Sequence, residues 1–222
     1  MRYFNIPDPS LDSTRQMFKD LENDGRDTKI DLGIGIYRDE KGEAPVFKAV
    51  KKAESILYQN EKSKSYKTPA GNSEYCKNIL DLVLGRDILS ERKDKVGAIQ
   101  IPGAGSGLRI AGELIKNNVQ NRLISIPDPT WGQQPFMFEK AGLKISKHSY
   151  YNEQNNFLDF DNMINDLNKL KSGDSLLLHG CCHNPTGADL SLEQWEQVAN
   201  ICVKKGILPF IDLVYQGLGK SI

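Results

Sequence analysis

From residue 98 onward, short apolar runs alternate with amphipathic stretches. Ala98–Ile101, Leu123–Ile126, Leu143–Ser146, Ser175–Leu178 and Ile207–Ile211 are brief, rich in Ile and Leu, and bounded by polar segments, as strands buried in a parallel sheet are. Helical spacing marks what lies between them. Trp195, Val198, Ala199 and Cys202 fall at i, i+3, i+4 and i+7 behind a Ser191/Gln194 capping-box pattern, and Lys204, Lys205 and Gly206 close the element. Leu108, Ala111, Leu114 and Ile115 are expected on one face of a helix that follows the glycine-rich Gly103–Gly107. Strands separated by helices predict an α/β fold, a mostly parallel sheet flanked by helices.

Upstream the pattern is thinner. A helical stretch near Ser13–Glu22, the segment Asp31–Tyr37 and a Pro-flanked start read as an arm and small-domain fragment over residues 1–45. Residues 46–222 then form the larger domain, opening on a helix marked by Phe47, Val50 and Leu57.

Charge excludes several function classes. The 222 residues carry 29 Lys and Arg against 29 Asp and Glu, so no net field draws the chain to nucleic acid or to an anionic membrane surface. No apolar run approaches the roughly 20 residues that span a bilayer, and no secretory leader is expected at the N-terminus. Four cysteines, two of them adjacent at Cys181 and Cys182, fit reduced thiols and a cytoplasmic location. Cys181, Cys182 and His183 lack the spacing and the second ligand pair of a zinc site, so no metal is expected.

Four candidate sites fall at strand ends. The loop Pro102–Gly107 leads into a helix whose first N–H groups are free to bind phosphate; a plain strand-to-helix turn fits it as well. It lacks the third glycine of a dinucleotide fingerprint and the Gly-Lys-Ser/Thr of a Walker loop. Trp131, after the strand at Leu123–Ile126, either stacks on a planar ligand or packs under a Pro-rich turn. In Leu178–Gly187, His179 and His183 read singly as core histidines, while Asn184 ahead of Pro185 is held extended with its amide free for a ligand oxygen. Asp212 ends an apolar run and needs a partner, either a cationic ring nitrogen or a structural hydrogen bond. A pyridine cofactor bearing a phosphate would use all four.

The motifs Leu32–Tyr37, Asp128–Trp131, His179–Gly187 with Leu192–Trp195, and Asp212–Gly217 resemble those of the aspartate and aromatic-amino-acid aminotransferases, fold type I pyridoxal-phosphate enzymes. The resemblance runs nearly end to end, and it implies the large domain of that fold. By resemblance, Gly103, Ala104, Gly105 and Ser106 hold the cofactor phosphate, Trp131 stacks on the ring, Asn184 and Tyr215 bind its phenolic oxygen, and Asp212 holds its nitrogen. Gly35, Trp131 and Asn184 would surround the substrate α-carboxylate, and Tyr66 would reach the phosphate of a neighbouring subunit in a homodimer. The implied reaction exchanges an amino group between an aspartate or aromatic amino acid and a 2-oxo acid.

Two positions depart from the family. Gly105 stands where a hydroxyl residue is usual, with Ser106 beside it, and Gln134 stands where a His supports the cofactor aspartate. Family members also continue past Ile222 to two more strands, the lysine that bonds the cofactor and the substrate-binding arginines. Lys220 follows Asp212 too closely to be that lysine. The chain therefore reads as the N-terminal half of such an enzyme, expected to be inactive alone and left with a gap in its sheet. A non-catalytic fragment that binds the cofactor non-covalently is the alternative. A nucleotide-binding oxidoreductase rests on the glycine loop and the α/β pattern alone.

Overall fold

A computed structural model describes residues 13–30, 35–66, 68–92 and 94–219. Residues 31–34 of the Asp31–Tyr37 segment, and Lys220, lie outside the described residues. The chain divides into two compact units, Met1–Tyr66 and Lys67–Ile222.

The first unit contains helices α1 (Ser13–Asn23) and α2 (Lys48–Asn60). None of its described side chains is buried. The second unit contains α3 (Ser73–Leu84), α4 (Arg86–Glu91), α5 (Ala104–Asn118), β1 (Leu123–Asp128), α6 (Gln133–Ala141) and β2 (Lys144–Ser149). The hairpin strands β3 (Tyr151–Asn152) and β4 (Phe157–Leu158) follow. After them come α7 (Phe160–Leu167), β5 (Ser175–His179), α8 (Leu192–Lys205) and β6 (Leu208–Asp212).

Four parallel strands build the sheet in the order β2-β1-β5-β6. β5 is central and buried throughout, which is why Leu176, Leu177 and Leu178 form an unbroken apolar run rather than an alternating one. Its residues still alternate between faces. Leu176 and Leu178 pack with Met163 and Leu167 of α7 and Val198 and Cys202 of α8. Leu177 packs on the other face with Ile124 and Ile126, Leu108 and Ile115 of α5, and Phe138 of α6. The sheet is thus sandwiched between two helix pairs, with a core on each side.

Two expectations need correction. Ala98–Ile101 joins no ladder: the Gln100 N–H donates to the Ala70 carbonyl at 2.9 Å, the Gln100 side-chain oxygen accepts from the Asn72 N–H at 2.9 Å, and Ile99 is exposed. An apolar run becomes a strand only where a neighbour accepts its backbone bonds, and here those bonds go to the turn before α3. Leu114 is also off the buried face, which is Leu108, Gly112 and Ile115. Six residues of helix carry it about 120° from Leu108.

Both ends of α8 are as expected, and of its apolar stripe Val198 and Cys202 are buried and Trp195 half-buried, while Ala199 is exposed. Ser191 Oγ accepts from the Gln194 N–H, Gln194 Oε1 accepts from the Ser191 N–H, and Gly206 closes the helix at φ +68°.

Candidate cofactor site at the carboxyl edge of the sheet

Parallel strands bring their carboxyl ends to one edge, and register aligns them: His179 of β5 lies opposite Asp212 of β6, and β1 ends at Asp128, three residues before Trp131. α6 starts just beyond, at Gln133. α5 runs alongside α6 in the same direction. A Cβ on Gly105 would meet Met137, one on Gly112 would meet Ala141 and Phe138, and Lys116 reaches Gly142. The amino end of α5 therefore opens toward the same sheet edge.

That helix begins at Ala104, with Gly103 as its N-cap at φ +150°, a conformation that favours glycine. No side chain caps it. The first backbone bond of the turn runs from the Gly107 N–H to the Gly103 carbonyl at 3.1 Å, so the N–H groups of Ala104, Gly105 and Ser106 precede any intrahelical acceptor. Three donors and the positive end of the helix dipole face outward.

Between the start of α6 and the ends of β5 and β6 a hydrogen-bonded chain links the remaining candidates. Gln134, buried, donates from Nε2 to Asp212 Oδ2 at 2.6 Å, and its backbone N–H donates to the Trp131 carbonyl at 2.9 Å. Thr130 Oγ1 donates to Gln134 Oε1. His179 Nε2 lies 2.9 Å from Gln134 Nε2 and 3.0 Å from Oε1. The Asn184 N–H donates to His179 Nδ1 at 3.1 Å, which makes Nδ1 the acceptor and assigns the ring proton to Nε2. Its partner is then the amide oxygen, since an amide nitrogen accepts nothing. Burial, which outweighs the attraction of the Asp212 and Asp189 charges, holds His179 below the usual histidine range.

Behind this chain His183 is buried against Tyr150, with ring centroids 3.8 Å apart, and against His179 at 4.5 Å. Its Nδ1 lies 2.8 Å from Thr186 Oγ1. Burial first, then the charges of His179 and His148, takes its pKa down to about 3. His183 is thus a packed core histidine, whereas His179 is the hub of the edge. Asn184 precedes a cis peptide bond to Pro185.

The structure brings Trp131, Asn184 and Asp212 to one sheet edge through shared hydrogen-bond partners, with Tyr215 three residues beyond Asp212 and Gly103–Ser106 on the adjacent helix start. Gly35 and Tyr66 are exposed and belong to the other unit. Thr130 and the role of His179 escaped the sequence reading, because a Thr or His gains meaning here only from what faces it across strands. Among the described residues, no group of three His, Cys, Asp or Glu is placed to hold a metal ion.

Fold and site define an α/β protein that gathers polar side chains and an uncapped helix start at the carboxyl edge of a parallel sheet, the edge where open α/β sheets bind ligands. The chain belongs to the aminotransferase class I and II family, whose sequence profile matches residues 27–221. It is 40% identical over 199 residues to the aspartate aminotransferase of Escherichia coli (strain K12), covering 90% of this chain and 50% of that protein. It is 36% identical over 218 residues to the aromatic-amino-acid aminotransferase of Paracoccus denitrificans, covering 98% and 55%. The aromatic amino acid aminotransferase structure from Burkholderia cenocepacia J2315 superposes with a TM-score of 0.90 at 33% identity, covering 99% of this chain and 55% of that one. The Burkholderia pseudomallei aromatic-amino-acid aminotransferase, described as covalently bound to pyridoxal phosphate, gives a TM-score of 0.88 at 31% identity, covering 99% and 54%. The chain spans about half the length of the curated relatives it matches.

Proposed function

We propose that this protein serves transamination between an aspartate or aromatic amino acid and a 2-oxo acid, with pyridoxal 5'-phosphate as cofactor. The observation that carries the reading is the hydrogen-bonded line from Asn184 through His179 and Gln134 to Asp212, set beside an uncapped helix start. The residues present fit such a cofactor. Among the described residues no hydrogen bond reaches Asp212 Oδ1, the Asn184 side-chain amide, the Trp131 indole N–H or the Tyr215 hydroxyl, so each remains available to a ligand.

In this reading the N–H groups of Ala104, Gly105 and Ser106 bind the phosphate, and the Ser106 hydroxyl takes the place of the family's hydroxyl one position earlier. Trp131 covers the ring face. Asp212 holds a proton on the ring nitrogen, and Asn184 and Tyr215 orient the phenolic oxygen. By the family resemblance, Gly35, Trp131 and Asn184 surround the substrate α-carboxylate. When bound, the cofactor supplies the electron sink that makes the amino acid's α-proton acidic.

The unit in which this operates is a homodimer in the cytoplasm, with residues 46–222 as the cofactor domain, residues 1–45 as arm and small-domain fragment, and Tyr66 of one protomer reaching its partner's phosphate site. The cytoplasmic location draws support from relatives such as the cytoplasmic aspartate aminotransferase of Oryza sativa subsp. japonica, 37% identical over 194 residues. No described helix is long and apolar enough to cross a membrane. Residues 1–222 alone hold the cofactor non-covalently and do not turn over. The test is titration with pyridoxal phosphate and with pyridoxal, followed by Trp fluorescence and absorbance, and then an assay for glutamate from aspartate and 2-oxoglutarate. Saturable binding that needs the phosphate, without glutamate, is expected; no binding refutes the cofactor, and turnover refutes the inactivity.

A further inference from the structure

Cys181 and Cys182, both half-buried with free thiols, take no part in the proposed cofactor site. They stand just beyond Gly180 at the end of β5, on backbone that is held from both sides. Ahead of them the Gly180 N–H donates to the Asp212 carbonyl at 2.8 Å, and the Cys182 and His183 N–H groups donate to the two carboxylate oxygens of Asp189 at 2.9 and 3.0 Å. Cys182 lies at φ +49°, a left-handed conformation that a residue with a Cβ keeps only where its surroundings enforce it. The two thiols share a hydrogen bond, so neighbouring side chains that would diverge on an extended strand converge here. Space lies over them as well: Gly219 has no side chain, and a Cβ there would come to 3.5 Å from Cys182 Sγ and 3.9 Å from Cys181 Cβ. Leu213, packed against Gly180, supplies apolar surface beside them.

Adjacent Cα atoms are about 3.8 Å apart across a trans peptide, below the roughly 4.4 to 6.8 Å over which disulfides usually close, so a direct S–S bond fits poorly. A thiophilic atom set between the sulfurs has no such limit. Zinc needs two further ligands, and among the described residues no group of three His, Cys, Asp or Glu is placed to hold a metal ion. An arsenic(III) centre that already carries one organic group needs two sulfurs only. We propose that Cys181 and Cys182 form a dithiol site for trivalent arsenicals bearing a single organic group, closed as a ring through the intervening peptide. In water such a compound carries two As–OH groups, and each thiol replaces one. Two S–As bonds form, two As–O bonds break, and each thiol proton leaves with a hydroxide as water. Arsenic stays trivalent and nothing is oxidised or reduced. Burial first, then the Cys182 thiol, holds the Cys181 thiol above its usual range. A protonated thiol suits an exchange that carries the proton away with the leaving oxygen, whereas alkylation needs the free thiolate.

The test uses the 222-residue chain and phenylarsine oxide. Mass spectrometry of the folded chain is expected to show a single arsenical bound, with the count of titratable thiols lowered by two. Cys181→Ser and Cys182→Ser are each expected to weaken binding by about a hundredfold or more, because one sulfur alone loses the effective concentration of the second. Cys182→Gly, which suits φ +49°, serves if the Ser variant fails to fold. Cys76→Ser is the control and should bind as the unsubstituted chain does, its sulfur being bonded instead to the Ala70 carbonyl at 3.5 Å. A peptide of the sequence Leu178 to Asn184 carries the same two cysteines without the held backbone. The folded chain is expected to bind about tenfold more tightly than this peptide, the gain from pre-organisation. Equal affinity of chain and peptide overturns the inference, since the fold would then add nothing. Full binding by a folded variant lacking either cysteine overturns it too, as does an arsenical mapped to Cys76 or Cys202, or no binding at all.

Discussion

A Cβ placed on Gly112 would stand 2.7 Å from the Ala141 Cβ and 3.3 Å from Phe138 Cδ1, so α5 rests directly on α6 at this residue. Neither neighbour can yield, because both are buried in the core above the sheet. Gly112→Val is therefore expected to push the helices apart and cost about 1 to 3 kcal/mol of stability. Urea unfolding reads it directly. The displaced α5 should also weaken phosphate-dependent binding, since its first turn is the proposed cradle. An unchanged midpoint in Gly112→Val would show that the helices do not pack as closely as described.

Acid should destabilise the fold through its histidines. His148 is buried, with Nδ1 3.0 Å from Ser125 Oγ and Nε2 without a hydrogen-bond partner. Burial, opposed by the Asp166 and Asp128 charges, lowers its pKa from 6.5 to about 4. Its folded pKa lies below its unfolded one, so between those values the unfolded chain binds the proton and the folded chain does not. Its contribution is complete above pH 6.5 and declines as pH falls toward 4, at roughly 1.4 kcal/mol per pH unit. His183, depressed to about 3, adds in the same direction over a slightly wider window. Denaturant unfolding at several pH values should show this slope, and His148→Gln should reduce it. A slope unaltered in that variant would place the titration elsewhere.

The reciprocal pair at Ser191 and Gln194 makes the α8 start separable from the site. Ser191→Ala removes the acceptor for the Gln194 N–H and is expected to cost about 1 kcal/mol. Cofactor affinity should stay the same, because among the described residues the Ser191 hydroxyl bonds only Gln194 and Glu193 in the first turn of α8: it holds a helix, not a ligand. Thermal unfolding together with a pyridoxal phosphate titration checks both halves.

The sheet edge carries a liability. β6 pairs with β5 on one side only among the described residues, and Leu208 and Ile211 on it are 42% and 47% exposed. An open apolar edge invites pairing with another chain. Ile211→Lys is expected to lower aggregation on heating, measured by light scattering, while leaving the unfolding midpoint within about 1 kcal/mol of stability, as exposed substitutions usually do. More aggregation in the variant would mean that this edge is covered.

What the sequence by itself determined was local. Apolar runs at Leu123 and Ser175 mark strands because a doubly covered strand has no solvent face to make polar; the run at Ile207 marks one as well, although its strand stays half exposed at the sheet edge. Ser191 and Gln194 mark a helix start because the capping bonds span only three residues, and the family motifs name the class for the same reason, as contiguous strings. The glycine loop before α5 is legible as a helix start. Tertiary structure decided everything that depends on a partner far along the chain. Ala98–Ile101 has a strand's composition but spends its backbone bonds on Ala70 and the turn beyond it. His179 looks like any core histidine until the Asn184 N–H and the Gln134 amide set its tautomer. Gln134 is a departure from a family pattern in the sequence; it becomes a donor to Asp212 only because two residues 78 positions apart meet at one edge of a parallel sheet. Hydrogen bonds act over about 3 Å, so which polar groups pair is settled by the packing of the strands, not by the order of the residues.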